Sequence, residues 1–284
     1  MPRPFASPVP RPVSEQTGEA FQSLVALMQR LLATDGCPWD QQQDELSLRR
    51  YVLEEACEVI DAIDGGNPDD LKEELGDLAL QVVFLAELGR RRGTFGPDDV
   101  MAAICEKLVR RHPHVFGDVR ASSSDEVVQN WERIKQEEKS DRGLLDGIPR
   151  CLPALMRARQ EQARAGTVGF DWPEVSDIRI KVNEELDELE QALGQGDQVA
   201  ALDEFGDLLF ALSNWGRRNG LDPEQALRGT CDKFRRRFSH VEGRVKARHG
   251  GWPQDAQGKP TTGLELDELE SYYQESKRLE KMNP

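Results

Sequence analysis

A chain of 284 residues is long enough for two domains of ordinary size, and 38% hydrophobic content supplies a core although aromatics reach only 6%. Asp and Glu number 52 against 37 Lys and Arg, a net charge of -15. So acidic a chain is a poor generic binder of DNA, RNA or anionic membrane, which leaves metal cations, or a phosphorylated molecule held by a local basic cluster, as fitting ligands. The cysteines Cys37, Cys57, Cys105, Cys151 and Cys231 are odd in number, scattered and without a CxxC pair. That argues against a disulfide framework or structural zinc and predicts a cytoplasmic, reducing setting. No apolar run is long enough to cross a bilayer.

The opening MPRPFASPVPRPVSEQTG, residues 1–18, is Pro-rich and polar, lacks the apolar region of a secretory signal and reads as a disordered tail. Beyond it, apolar residues recur at i, i+3, i+4 and i+7, interrupted by Gly, Pro and Asp. This periodicity predicts an all-α protein with helices over about 19–33, 46–64, 68–92, 97–111 and 124–139. A second set is predicted over about 152–164, 174–193, 197–219, 223–248 and 265–281. Between the sets, KSDRGLLDGIPR is rich in Gly, Pro and charge, and residues 140–149 read as a linker.

The second set repeats the first. LVALMQR at 24–30 is answered by LPALMRA at 152–158, EEACE at 54–58 by EELDE at 184–188, and ELGDL at 74–78 by EFGDL at 204–208. KLVRRHPHV at 107–115 is answered by KFRRRFSHV at 233–241, and WERIK at 131–135 by YQESK at 273–277. Five segments in the same order indicate a duplicated helical domain, 20–139 and 150–284, each a bundle by default.

Residues three or four apart share a helix face. Glu185 and Glu188 therefore lie together, beside Val182, Leu186, Leu189 and Leu193, as do Glu204 and Asp207 beside Phe205, Leu208, Leu209 and Leu212. The turn LGQGDQ allows the two helices to run antiparallel, and the first copy offers Glu55, Glu58, Glu74 and Asp77 around DGGNPDD. A solvated acidic face is the ordinary explanation of one such pair. Paired pairs, duplicated with their spacing intact in apolar helix, point instead to a cation, because converged carboxylates repel one another unless protonated or metal-bound. Oxygen-only ligands suit Mg²⁺, Mn²⁺ or Ca²⁺. Di-iron bundles use Glu-x-x-His, which is absent at these positions.

Phosphates need positive partners. Lys107, Arg110 and Arg111 share one face, as do Lys233, Arg236 and Arg237. A solvated basic face is the plain alternative for either cluster alone. Trp131 and Tyr273 suit stacking on a base, and core packing explains a single aromatic equally well. Lys135 and Lys277 add a cation each, and no Gly-rich phosphate loop is present.

With these residues in view, the chain resembles the MazG-type nucleoside triphosphate pyrophosphohydrolases in their two-repeat form. The family pattern, EExxE followed by ExxD on the next helix, stands here as EEACE with EELGD and as EELDE with DEFGD. GCPWD at 36–40, RRHPHVF at 110–116, IPRCLPALMRA at 148–158 and VGFDW at 168–172 also resemble that family, so the likeness covers residues 20–282. It implies an all-α homodimer built around Mg²⁺, with Mn²⁺ as the alternative ion. It further implies hydrolysis of a nucleoside triphosphate to monophosphate and pyrophosphate through water attack at the α-phosphorus.

Carried over to this sequence, the second-repeat metal ligands are Glu185, Glu188, Glu204 and Asp207, matched in the first repeat by Glu55, Glu58, Glu74 and Asp77. Nucleotide contacts fall to Lys181, Glu184, Lys233, Arg237, Lys277 and Tyr273, the last where the family has a tryptophan. Arg236 joins Lys181, Lys233 and Arg237 as a candidate to stabilise the leaving pyrophosphate. Lys107, Arg111, Trp131 and Lys135 are the first-repeat counterparts. Glu184, Glu185, Glu204 and Asp207, with Glu188 beside them, are all candidates to orient the water. The first repeat has Tyr51 where the second has Lys181, so the second is expected to be the main active site. A non-catalytic sensor of Mg-nucleotide and a helical interaction protein are the competing classes. The preferred base, and the choice between cleaning of aberrant nucleotides and control of a regulatory pool, stay open.

Overall fold

The computed structural model describes residues 18–120, 123, 126–127, 130–131, 134 and 143–282. Most of the predicted tail and Lys135 therefore lie outside the described residues. The described residues form helices and no strand, with one isolated antiparallel bridge between Gln254 and Pro260. The chain divides into two compact units, residues 1–140 and 141–284.

The first unit carries α1 (Glu19–Leu31), α2 (Pro38–Gln41), α3 (Glu45–Gly65), α4 (Pro68–Arg91), α5 (Pro97–Arg111) and α6 (Pro113–Phe116). Asp44 caps α3 by accepting from the Ser47 amide at 2.7 Å, while the Ser47 hydroxyl accepts from the Asp44 amide at 3.0 Å, a reciprocal box that fixes where the helix begins. Gly66 ends α3 in the left-handed region, φ 70, and Asn67 with Pro68 starts α4 at once. A turn this short folds α4 back along α3. The core gathers Met28, Leu32, Leu48, Val83, Phe84 and Leu88. Among them Glu87 is fully buried, accepting from Gln29 Nε2 at 3.0 Å and from Arg90 Nε at 2.6 Å. Those two donors satisfy a carboxylate that would otherwise be costly to enclose.

The second unit carries α7 (Ala154–Gly166), α8 (Val175–Gln195), α9 (Gln198–Arg218), α10 (Pro223–His249) and α11 (Leu266–Met282). The turn between α8 and α9 repeats the first unit's solution. Gly196 has φ 72, and the Asp197 carboxylate accepts from the amides of Val199 and Ala200, both at 3.1 Å. Hydrogen bonds tie α7 to α9, with Gln162 Nε2 donating to the Phe210 carbonyl at 2.8 Å. Asp171, between α7 and α8, pairs with Arg217 at 2.5 Å and Arg218 at 3.2 Å near the C-terminal end of α9. Val241, Val245 and Tyr272 pack α10 on α11.

The observed helices match the predicted ones to within two residues at either end, except for 124–139. There Glu126, Val127, Asn130, Trp131 and Ile134 are helical and the remainder lies outside the described residues. The one-turn helices α2 and α6 were not predicted, because four residues are too few to show a period.

Candidate active site

The two-residue turns set α3 against α4 and α8 against α9, and each hairpin brings carboxylates together across its seam. One ligand oxygen from each of Glu185, Glu188 and Glu204 lies within 4.8 Å of the others, and the same holds for Glu55, Glu58 and Glu74. Asp77 and Asp207 fall outside these tightest sets. Their charges still act on them: burial first and then Glu188, Glu185 and Asp207 push the Glu204 carboxyl up. Burial, then Asp77 and Glu58, push Glu55 up, and burial, Glu58 and Asp77 do the same to Glu74. Each hairpin therefore holds carboxylates that resist ionising together.

The two sets differ in what offsets this. In the second unit Glu185 is only 4% exposed, and Lys181 one turn earlier compensates it. Lys181 Nζ lies 2.7 Å from Glu185 Oε1 and 2.8 Å from Glu184 Oε1. Its hydrogen bonds to Glu184 and then to Glu185 raise the ammonium pKa well above its ordinary value. In the first unit Tyr51 takes the place of Lys181. Its hydroxyl accepts from Arg50 at 2.6 Å, and its ring meets Trp39 edge-on with centroids 6.1 Å apart.

A hard divalent cation fits these donors. All are oxygens lying within 4.8 Å of one another, and opposite ligands around an ion with bonds of about 2.0–2.6 Å stand about 4–5 Å apart. Mutual repulsion supplies the reason for a cation to enter.

The basic and aromatic candidates gather elsewhere in the second unit, between α10 and α11. Arg237 donates to Glu280 Oε2 from Nε and Nη2 at 2.9 and 2.7 Å, and its guanidinium lies 5.8 Å from the Tyr273 ring centroid. Lys277 Nζ is 5.1 Å from the same ring. The Arg237 hydrogen bonds, followed by the charges of Arg237, Arg236 and Lys233, hold the Glu280 carboxyl below its usual range against the effect of burial. Glu280 was missed in the sequence. It lies three residues beyond Lys277 on the same face of α11, which is the signal that could have found it. In the first unit Lys107, Arg111 and Trp131 line one cavity of about 490 Å³ with Ile104, Leu108 and Val127. Arg111 stacks on Trp131 with its guanidinium 5.6 Å from the ring centroid, the same pairing as Arg237 with Tyr273. Among the described residues, no ion pair joins the acidic set of α8–α9 to the basic set of α10–α11.

Helical hairpins with paired acidic sets, and a separate basic and aromatic patch, define this all-α protein. Residues 43–116 match the MazG nucleotide pyrophosphohydrolase domain, and residues 152–233 match phosphoribosyl-ATP pyrophosphohydrolase. Over 263 residues the chain is 46% identical to the nucleoside triphosphate pyrophosphohydrolase of Escherichia coli K12, covering 90% of this chain and 97% of that one. Over 265 residues it is 40% identical to the nucleoside triphosphate pyrophosphohydrolase/pyrophosphatase MazG of Thermotoga maritima, covering 93% and 98%. The chain belongs to the MazG family of nucleoside triphosphate pyrophosphohydrolases, which are hydrolases acting on phosphoric anhydrides. The two family matches take in one acidic hairpin each. The second ends at Lys233, so most of α10 and all of α11 lie beyond it.

Proposed function

We propose that the chain hydrolyses a nucleoside triphosphate to the monophosphate and pyrophosphate, using Mg²⁺, or Mn²⁺ in its place, held by Glu185, Glu188, Glu204 and Asp207. Glu55, Glu58, Glu74 and Asp77 form the matching site of the first copy. The observation that carries this reading is the recurrence of the same carboxylate set on equivalent hairpins, in a chain of this family. When bound, such an ion neutralises phosphate charge and lowers the pKa of water.

The side chains divide the remaining work. One of Glu184, Glu185, Glu204 and Asp207 orients the attacking water toward the α-phosphorus and takes its proton. Lys181, Lys233, Arg236 and Arg237 stabilise the charge that develops on the departing pyrophosphate. Lys277 and Tyr273 hold the nucleoside end. For Lys181 this requires exchanging its two glutamates for phosphate oxygens. Lys107, Arg111, Trp131 and Lys135 would serve a nucleotide at the first site. The second copy, with its lysine, is the main active site, and residues 20–139 and 150–284 are diverged copies of one domain joined by 140–149.

A homodimer fits the surface of α9. Leu202, Phe205, Leu209 and Leu212 recur at helical spacing and are all exposed, a stripe that a second copy would cover. Five free cysteines suit a cytoplasmic location. Among the described residues no helix is long and apolar enough to cross a membrane.

The test is Glu204→Gln, which keeps size and removes the charge. With products identified as monophosphate and pyrophosphate, turnover should fall by at least about a hundredfold while the helical circular dichroism is unchanged. Full turnover in that variant would sink the assignment.

A further inference from the structure

The two acidic hairpins are alike in carboxylates and differ in two of the side chains beside them, Tyr51 against Lys181 and Gln81 against Ala211. Around the α8–α9 set, Lys181 supplies a positive charge at hydrogen-bonding distance from Glu185, the most buried carboxylate of the group. An entering ion must displace that ammonium or share Glu185 with it. Around the α3–α4 set, among the described residues, no ion pair reaches Glu55, Glu58, Glu74 or Asp77, and Glu55 is met instead by an amide.

That amide is Gln81, on α4. It is only 6% exposed and points into the acidic set, its Nε2 lying 3.4 Å from Glu55 Oε1, a long and weak hydrogen bond. Its Oε1 is buried with no hydrogen-bond partner. A buried amide oxygen is costly to leave unpaired. Rotating the amide by half a turn would carry that oxygen to the carboxylates, where it repels them unless a cation stands between. Ala211 occupies the matching place on α9 and offers no donor.

We infer that the two sites take cations in different ways: the α3–α4 set, with Gln81 as an added oxygen donor, holds a divalent cation without nucleotide, whereas Lys181 keeps the α8–α9 set closed to one until a triphosphate draws it away. The first site is then a resident ion site and the second a substrate-coupled one. Lys181, besides meeting the pyrophosphate, makes ion entry conditional on substrate. The inference rests on the reading above, that both sets hold divalent cations.

Mn²⁺ added to the metal-stripped full chain, with free ion read by electron paramagnetic resonance, tests it without any turnover. Without nucleotide, the chain should bind one Mn²⁺ strongly. Glu74→Gln should abolish that site and Glu204→Gln should leave it. Gln81→Leu should weaken it, by roughly tenfold for loss of an oxygen donor. Lys181→Met should open a second site without nucleotide, tightened about tenfold or more by removal of a charge in direct contact with a ligand. A non-hydrolysable triphosphate should bring in the second ion on the unaltered chain. Two equal sites without nucleotide, a strong site lost in Glu204→Gln but kept in Glu74→Gln, or an unchanged stoichiometry in Lys181→Met would each overturn the inference. Ions bound at both sites only when nucleotide is present would overturn it while leaving the metal-site reading intact. No binding under either condition would defeat both.

Discussion

Asp171 sits in VGFDW, the loop between α7 and α8, and anchors the helix that carries Glu204 and Asp207. Its carboxylate meets Arg217 at 2.5 Å and Arg218 at 3.2 Å, with side chains that are 15–23% exposed, and it also accepts from the Trp172 amide at 2.9 Å. Burial alone would raise its pKa. The Arg217 hydrogen bond, the Trp172 amide and the charges of both arginines outweigh that and hold the carboxyl below the usual carboxylate range. Asp171→Ala strands two arginines in a largely enclosed site, a change that costs about 3–5 kcal/mol when a buried partner is removed outright. Here Arg217 keeps its bonds to Asn214 at 2.9 and 2.6 Å, so a loss of about 2–3 kcal/mol is the reasoned figure. For a unit of this size that lowers the midpoint of thermal unfolding by about 5–10 °C. Because the folded pKa is depressed, the stabilisation is full above the ordinary aspartate pKa and disappears as pH falls through the folded value. Thermal scans of both proteins at neutral pH and in acid should therefore converge as the pH drops. A loss below about 0.5 kcal/mol at neutral pH, or a gap that persists in strong acid, would refute the reasoning.

The remaining predictions concern charge in the core and at the seams. Glu87→Gln keeps the shape but spoils the acceptor shared by Gln29 and Arg90, and should destabilise the first unit by about 1–3 kcal/mol in urea titrations. Glu55, Glu74 and Glu204 have raised pKa values, so in the metal-free protein their ionisation opposes folding. That contribution is absent below the ordinary glutamate pKa and grows as pH rises through the folded values. Added Mg²⁺ should consequently raise the unfolding temperature at neutral pH and have little effect near pH 4, where scanning calorimetry would show no shift.

How far the sequence could be read follows from where each signal is local. The helices were legible because their apolar period is sustained over many turns and their ends carry Pro68, Pro97 and Pro223 at the start and Gly66 and Gly196 at the stop. The acidic sets were legible because three-residue spacing on a helix and a two-residue turn leave little freedom. What the sequence withheld is nonlocal. It assigned Lys181 to phosphate; the four-residue spacing puts Glu185 on the same helix face, but that Glu185 would be buried could not be read from it. Gln81 carries no motif, so its place beside Glu55 emerged only from packing, whereas Glu280 shares a helix face with Lys277 and lacked only its cross-helix partner, Arg237. The sequence showed Phe205, Leu209 and Leu212 as part of an apolar stripe beside the carboxylates. Each of the three is exposed in the chain, because a period reveals an apolar face but not which surface covers it.

The proposed reaction turns on water attack at the α-phosphorus of a nucleoside triphosphate. Turnover in ¹⁸O-labelled water with Mg²⁺, followed by mass spectrometry of the products, locates the bond that forms. Attack there places one ¹⁸O in the nucleoside monophosphate and none in the pyrophosphate. Label in pyrophosphate, or release of inorganic phosphate with a nucleoside diphosphate, would contradict it.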